Sequence, residues 1–147
     1  MSIKVLKKLS VIMCAVICTL TFIRTDAFAA YSGTTTVTAT KTIYFDSEHS
    51  VTVHAISEVD YGYDEGASGW IEDCNMEIQM GSNTVTPDTC RVESYGDFGK
   101  SSNIQRYYVY CYRFLAEYTC YINVHVHCDE WGDVSSWITY DNPKINK

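Results

Sequence analysis

Residues 118–128 constrain the fold of this chain more than any other stretch. Every second residue is apolar or carries sulfur, and the residues between them are hydroxyl-bearing, amide or histidine side chains. Successive side chains of a β-strand point to opposite faces of its sheet, so the alternation predicts a strand with one buried and one exposed face. The first set is Tyr118, Cys120, Ile122, Val124, Val126 and Cys128, and the second is Thr119, Tyr121, Asn123, His125 and His127.

Residue usage extends the β prediction to the rest of the chain. Leu115 is the only leucine after residue 29, whereas all twelve tyrosines lie there. Leucine favours helices, and Val, Thr and Tyr favour strands. We therefore expect an all-β domain, a single antiparallel β-sandwich of about seven strands. The expected strands are 31–45, 51–59, 70–80, 84–94 with an interruption at Pro87 and Asp88, 104–114, 118–128 and 135–140.

A tyrosine two residues before a cysteine is also found in immunoglobulin-type sandwiches, where it forms a corner that locks one strand to the loop before it. Tyr118 and Cys120 are similar to that pair and favour an immunoglobulin-like general architecture. Those domains place a tryptophan between their two cysteines. Here Trp70 precedes Cys74, the first cysteine after residue 29, so the likeness stops at the general architecture.

The first 29 residues are typical of a secretory signal peptide. Three lysines among the first eight residues are followed by an uncharged apolar run and by the small-residue site Ala27-Phe28-Ala29. This order predicts cleavage after Ala29, with cleavage after Ala30 as a close alternative, followed by export and a single domain at 30–147. The apolar run is shorter than the roughly 20 residues that a membrane span needs, so we expect no membrane span after cleavage.

The net charge of the expected mature chain limits the classes of partner that it can bind. Residues 1–29 hold four of the 11 basic and one of the 18 acidic residues, which leaves 7 basic and 17 acidic residues and a net charge of −10 at 30–147. Such a charge repels nucleic acids at long range, so a nucleic-acid role is excluded.

Five cysteines lie after residue 29, and export would place them where disulfides form. Cys74 and Cys90 are symmetric about Ser82 in a hairpin turn expected at 81–83, which predicts a Cys74–Cys90 bridge, with Cys74–Cys120 across the two sheets as its rival. Cys111 and Cys120 are nearly symmetric about Leu115 and Ala116. Cys120 and Cys128 lie roughly 26 Å apart on one strand and cannot pair. An odd number of cysteines leaves one thiol for a disulfide-linked dimer.

The exposed face of the 118–128 strand carries a His-x-His pair. His125 and His127 project from the same side, and two imidazoles at that spacing can bind Zn²⁺ or Cu²⁺, with His54 from another strand as a third ligand. The alternative is two solvated histidines on an open sheet face.

The aromatic content points to a binding surface. Tyr108, Tyr110 and Tyr112 alternate on one strand, and Trp131 follows the 118–128 strand in an acidic turn. Tyrosine and tryptophan offer large rigid area with a polar handle, which suits a protein or carbohydrate ligand. The alternative is that these rings fill a leucine-poor core.

Signatures of enzymes are missing from the sequence: it has no Gly-x-Ser-x-Gly, no His-Glu-x-x-His, no phosphate loop and no dinucleotide fingerprint. We expect a secreted, disulfide-stabilised binding module rather than an enzyme, with no cofactor. The alternatives are an extracellular metal-binding protein and a small secreted toxin or antimicrobial factor.

Overall fold

A computed structural model describes residues 30–147, and the expected signal peptide lies outside the described residues. Within this range the prediction of an all-β chain is confirmed, and no helix is long and apolar enough to cross a membrane. The strands are β1 (Ala30–Tyr44), β2 (Ser50–Asp64), β3 (Ser68–Ser82), β4 (Thr86–Ser94), β5 (Ser102–Arg113), β6 (Ala116–Cys128) and β7 (Val134–Asn146).

The strands form two antiparallel sheets, one in the order β1-β2-β3 and the other in the order β4-β5-β6-β7. Within each sheet, paired strands are therefore consecutive along the chain, and among the strands at 30–147 only β3 and β4 follow one another without pairing. Immunoglobulin domains instead exchange strands between sheets through Greek-key connections, so the observed order differs from that expectation. The largest buried cluster takes residues from both sheets, including Val53 and Ala55 of β2 and Val109 and Val124 of β5 and β6.

β6 has the two faces that its sequence predicts. All six residues of its apolar set are buried, and Ile122, Val124 and Val126 have no solvent exposure. The intervening residues are partly exposed except Thr119, which is buried. Because β6 pairs with β5 on one side and β7 on the other, its outward side chains lie in the middle of a four-stranded face.

The hairpin expected at 81–83 is wrong, because β3 pairs with β2 and β4 pairs with β5. The segment 83–85 instead carries the chain from one sheet to the other. The Thr84 and Val85 amides both donate to the Ser50 carbonyl, at 3.2 and 3.4 Å, and Val85 is buried. Val85 belongs to the core cluster that both sheets share, at the point where the chain passes from β3 to β4.

The connection between the strands expected at 51–59 and 70–80 is shorter in the structure. β2 continues to Asp64 and β3 begins at Ser68, so only residues 65–67 form the turn. Gly66 adopts the left-handed conformation at φ 71°, which suits a glycine in a tight turn. The pairing of β2 with β3 is irregular at Asp60 and Tyr61, and this irregularity lets the alternation change phase without ending the strand.

The two sheets approach each other closely where β3 begins. A Cβ atom on Gly69 would lie 2.1 Å from the carbonyl oxygen of Asp129 and 2.6 Å from that of Cys128. Backbone hydrogen bonds join the same region, from the Gly66 amide to Glu130 at 2.9 Å and from the Ile71 amide to Lys100 at 2.8 Å. Gly69 is therefore required here by contact between backbones.

The five cysteines at 30–147 are all free thiols, so the predicted disulfides are wrong. Cys74 lies on β3 and Cys90 on β4, which belong to different sheets, so their symmetry about Ser82 brings no direct pairing. Cys74 and Cys120 also face the core from different sheets without bonding. Cys111 pairs with Tyr118 and Cys120 with Val109, so these two cysteines are staggered by two residues across β5 and β6.

Burial keeps the thiols protonated. It raises the pKa of Cys74 and Cys90 to about 11 and that of Cys111 and Cys120 to about 12. Nucleophilic and redox-active cysteines need a thiolate and an accessible sulfur. Four of the five thiols are buried, and Cys90 is the one with partial exposure. The expected disulfide-linked dimer stays a prediction, and Cys90 is the thiol through which it would form.

Candidate binding surface

The three predicted ligand-binding tyrosines share the outward side of the four-stranded sheet. Tyr107, Val109 and Cys111 of β5 are buried in the core, so Tyr108, Tyr110 and Tyr112 between them point outward. Tyr112 is 44 % exposed. We call the outward side of β4, β5, β6 and β7 the tyrosine face.

β6 and β7 add aromatic side chains to the tyrosine face that the sequence analysis did not assign to a site. Tyr121 lies opposite Tyr108, and the two rings meet edge to face with centroids 5.4 Å apart. Trp137 lies opposite His125, and these rings stack at 4.9 Å with an interplanar angle of 6°. Alternation alone placed Tyr121 on the exposed side, but only the strand register brings it to Tyr108.

Two arginines complete the centre of this face. The Arg91 guanidinium lies 4.9 Å from the ring centroid of Tyr108, and the Arg106 guanidinium lies 4.5 Å from that of Tyr121. Arg106 also donates from one nitrogen to both carboxylate oxygens of Asp141, at 3.0 and 3.1 Å. Cation–π contacts and the ion pair hold these planar groups in fixed positions.

The edges of the tyrosine face carry exposed apolar groups. Ile104 and Trp137 are 45 % and 43 % exposed. Tyr110 donates its hydroxyl to Glu117 at 3.2 Å, which orients the ring of that tyrosine. Desolvation raises the pKa of Tyr110, with the Glu117 hydrogen bond contributing in the same direction, so its hydroxyl stays a donor at neutral pH.

Trp131, the fourth predicted ligand-binding residue, lies away from the tyrosine face. It follows β6 in the turn that leads to β7, at the opposite end of β6 from the strand pair of Tyr110. Its amide donates to the Asp129 carboxylate at 2.9 Å, and its ring lies beside Gly66. The structure therefore does not bring Trp131 together with the three tyrosines.

The three predicted metal ligands are not brought together either. His54 lies on the outward side of the three-stranded sheet, where its ring nitrogen is 2.9 Å from the Thr40 hydroxyl. His125 and His127 lie on the tyrosine face of the other sheet. No group of three His, Cys, Asp or Glu side chains within 30–147 is arranged to hold a metal ion.

Both histidines of the pair are engaged with protein neighbours. His125 stacks on Trp137 and places Nε2 2.9 Å from the Thr139 hydroxyl. His127 places Nδ1 2.9 Å from the Ser102 hydroxyl. Desolvation lowers the pKa of His125, so the neutral ring is favoured in this stack. The exposed face of β6 therefore contributes to an aromatic surface.

No protein-family model, curated protein or solved structure shows significant similarity to this chain. The functional argument consequently depends on the chemistry of the surface itself.

Proposed function

We propose that residues 30–147 form an exported, sandwich-type binding module whose tyrosine face docks a partner protein. The observation that carries this proposal is the composition of that face: tyrosines, a tryptophan and two arginines lie together on one side of the four-stranded sheet. Tyr, Trp and Arg are the residue types that dominate the binding energy of protein interfaces.

The size of the face supports a protein ligand. Four strands about 4.8 Å apart, with side-chain breadth at both edges, span about 20 Å, and the ten residue steps from Ser102 to Tyr112 span about 34 Å. The product is about 680 Å², close to the roughly 800 Å² that each partner buries in a standard interface. The surrounding β-sheet makes this area rigid, which lowers the entropic cost of docking.

The distribution of charge also favours the tyrosine face, rather than the three-stranded sheet, as the docking surface. Residues 30–82 hold nine acidic residues and one basic residue, a net charge of −8, whereas residues 83–147 hold eight acidic and six basic residues, a net charge of −2. The acidic three-stranded half disfavours close contact with other acidic proteins. The nearly balanced half leaves aromatic and arginine contacts to determine binding.

A carbohydrate ligand is less favoured by the geometry of the rings. Sugars stack on open aromatic faces, but Arg91 and Arg106 already lie over Tyr108 and Tyr121. Trp137 is stacked on one side by His125. Arginine–aromatic pairs of this kind are more useful to a protein partner, which can supply carboxylates and backbone carbonyls to the guanidinium groups.

Site-specific photo-crosslinking tests the proposal. A photoreactive phenylalanine analogue replaces Tyr112 in one variant and Tyr44 in the matched control, because Tyr44 is a 58 % exposed tyrosine on the other sheet. The exported protein is irradiated in the culture that produces it, and crosslinked species are identified by mass. We expect one saturable protein adduct at position 112, absent at position 44.

The adduct should also disappear when Tyr110→Ser and Trp137→Ser are introduced beside the probe at 112. Equal crosslinking at 112 and 44, or an adduct that survives these two changes, would contradict docking on the tyrosine face. A glycan array run with the same variants tests the carbohydrate alternative: saturable glycan binding that depends on Tyr110 and Trp137, without a protein adduct, would replace the proposed partner with a sugar.

A further inference from the structure

The tip of the β5–β6 hairpin exposes two large apolar side chains in a strained turn. Phe114 and Leu115 connect Arg113 to its strand partner Ala116, and they are 90 % and 96 % exposed. Phe114 has φ 55°, a left-handed conformation that glycine normally supplies at this position of a two-residue turn. That conformation costs a bulky residue about 1–2 kcal/mol of conformational free energy. The turn therefore holds an apolar pair in water at a cost in stability.

A cavity of about 410 Å³ lies beside this tip, and we call it the hairpin cavity. Its volume falls within the range of roughly 300–1,000 Å³ that is common for small-molecule sites. Tyr118 is the buried wall: its ring contacts His49 with centroids 5.0 Å apart and Phe45 at 5.3 Å. The apolar tip residues Phe114 and Leu115 form the outer wall, and Glu48, Arg113 and Lys147 supply the charged groups of the lining.

The hairpin cavity concentrates cations in an acidic chain. Arg113 and Lys147 line it against one carboxylate, Glu48, although residues 30–147 contain 17 acidic and only 7 basic residues. His49 is held by the Asp46 carboxylate at 2.8 Å, and this hydrogen bond lowers the pKa of Asp46. Asp46 is thus engaged with His49, and the side chains that line the cavity include two cations, Arg113 and Lys147, and one carboxylate, Glu48.

We propose that the hairpin cavity binds a small amphipathic anion, a carboxylate on an aliphatic or aromatic body. The apolar body lies against Phe114, Leu115 and Tyr118, and the carboxylate pairs with Arg113 at the mouth. Two features of the structure, the strained exposed tip and the cationic excess, are both accounted for by this ligand chemistry. The site is separate from the tyrosine face, and its test does not depend on that face having a partner.

Isothermal titration with octanoate, below its micelle concentration, tests the proposal on the protein spanning 30–147 in its folded form. We expect saturable one-to-one binding of octanoate, and binding of the uncharged octanol weaker by at least about tenfold because the charged hydrogen bond is missing. The Arg113→Gln variant should lose about tenfold in octanoate affinity and leave octanol unchanged. Arg91→Gln, a matched arginine on the tyrosine face, should change neither.

Phe114→Gly provides a second variant that keeps the fold, since glycine adopts a φ of 55° without strain. It should weaken both octanoate and octanol while the melting temperature is unchanged or higher. The proposal is overturned by a lack of saturable octanoate binding, by equal affinity for octanoate and octanol, or by an Arg113→Gln variant of wild-type affinity. Binding only to anionic vesicles, with none to monomeric octanoate, would assign the tip to a lipid surface and overturn it as well.

Discussion

Replacement of Gly69 by alanine should cost this protein a large part of its stability. The added Cβ would lie 2.1 Å from the Asp129 oxygen and 2.6 Å from the Cys128 oxygen, whereas ordinary contact begins near 3.4 Å. The two carbonyls would have to retreat by about 1.3 and 0.8 Å. They have little freedom to do so, because the amides of Cys128 and Asp129 are bonded to Ser101 at 2.9 Å and to Asp133 at 3.1 Å.

Overpacking of this kind costs about 1–3 kcal/mol, and two backbone contacts place Gly69→Ala at the upper end, about 3 kcal/mol. Unfolding entropy near 2.1 cal/mol/K per residue then gives a fall in melting temperature of about 12 °C for a domain of this size. Since Gly69 is outside the left-handed region, the whole cost comes from contact between the sheets.

Two other glycines serve as controls. A Cβ at Gly81 would meet only the Thr52 oxygen at 3.8 Å, so Gly81→Ala should be neutral or stabilising by up to about 1 kcal/mol. A Cβ at Gly99 has no neighbour within 4 Å, but φ is 78°, so Gly99→Ala should cost about 1–2 kcal/mol from backbone strain alone. Urea unfolding followed by tryptophan fluorescence measures all three. A Gly69→Ala midpoint no lower than that of Gly99→Ala would refute the close approach of the sheets.

Three further predictions concern ionisable groups. Because the pKa of the Cys111 and Cys120 thiols is raised to about 12 in the fold but is near 8.5 in the unfolded chain, their contribution to stability is complete below pH 8.5 and declines above it. Urea midpoints under reducing conditions should therefore fall between pH 8 and 10. The four buried thiols should react with Ellman's reagent mainly after unfolding, and Cys90 should react first. The lowered pKa of His125 has the opposite consequence: its contribution to stability is complete above pH 6.5 and is lost as the pH falls through the pKa of the folded state. An NMR titration should place the midpoint of His125 below pH 6.5. A midpoint above 6.5 would refute the desolvated stack of His125 on Trp137. Arg106→Gln should reduce the free energy of unfolding by less than about 1 kcal/mol, because the side chains of Arg106 and Asp141 are 35 % and 41 % exposed. A larger loss in urea unfolding would show that the ion pair is more than a surface contact.

The strands were predictable where one face is buried, because alternation then fixes which side chains point inward. β6 is the clearest case, and the outward placement of Tyr108, Tyr110 and Tyr112 on β5 follows from the same rule. The last strand, expected at 135–140, instead continues to Asn146. It stays paired with β6 across an irregularity between Thr119 and Tyr121, and the polar residues after 140 gave no sign of this pairing.

Pairing between strands was less predictable than the strands themselves. The symmetry of Cys74 and Cys90 about Ser82 places them opposite each other only if the two strands that follow one another share a sheet. β3 and β4 lie in different sheets, and nothing in the local sequence at 81–85 distinguishes a turn within one sheet from a crossing between two. The same limit applies to the candidate site. Tyr121 and Trp137 join the tyrosine face through register, and Trp131 leaves it because the β6–β7 turn carries it to the other end.

The sequential strand order has a kinetic consequence. Both sheets consist of neighbours along the chain, so most pairing closes short loops, and folding rates rise as the mean sequence separation of contacts falls. We expect this protein to fold faster than Greek-key domains of equal length, whose pairing joins distant segments. When the chain is released amino-terminal end first, β1, β2 and β3 can pair before Thr86, the first residue of β4, is free to fold. The three-stranded sheet can therefore form first, and the four-stranded sheet can then pack against it.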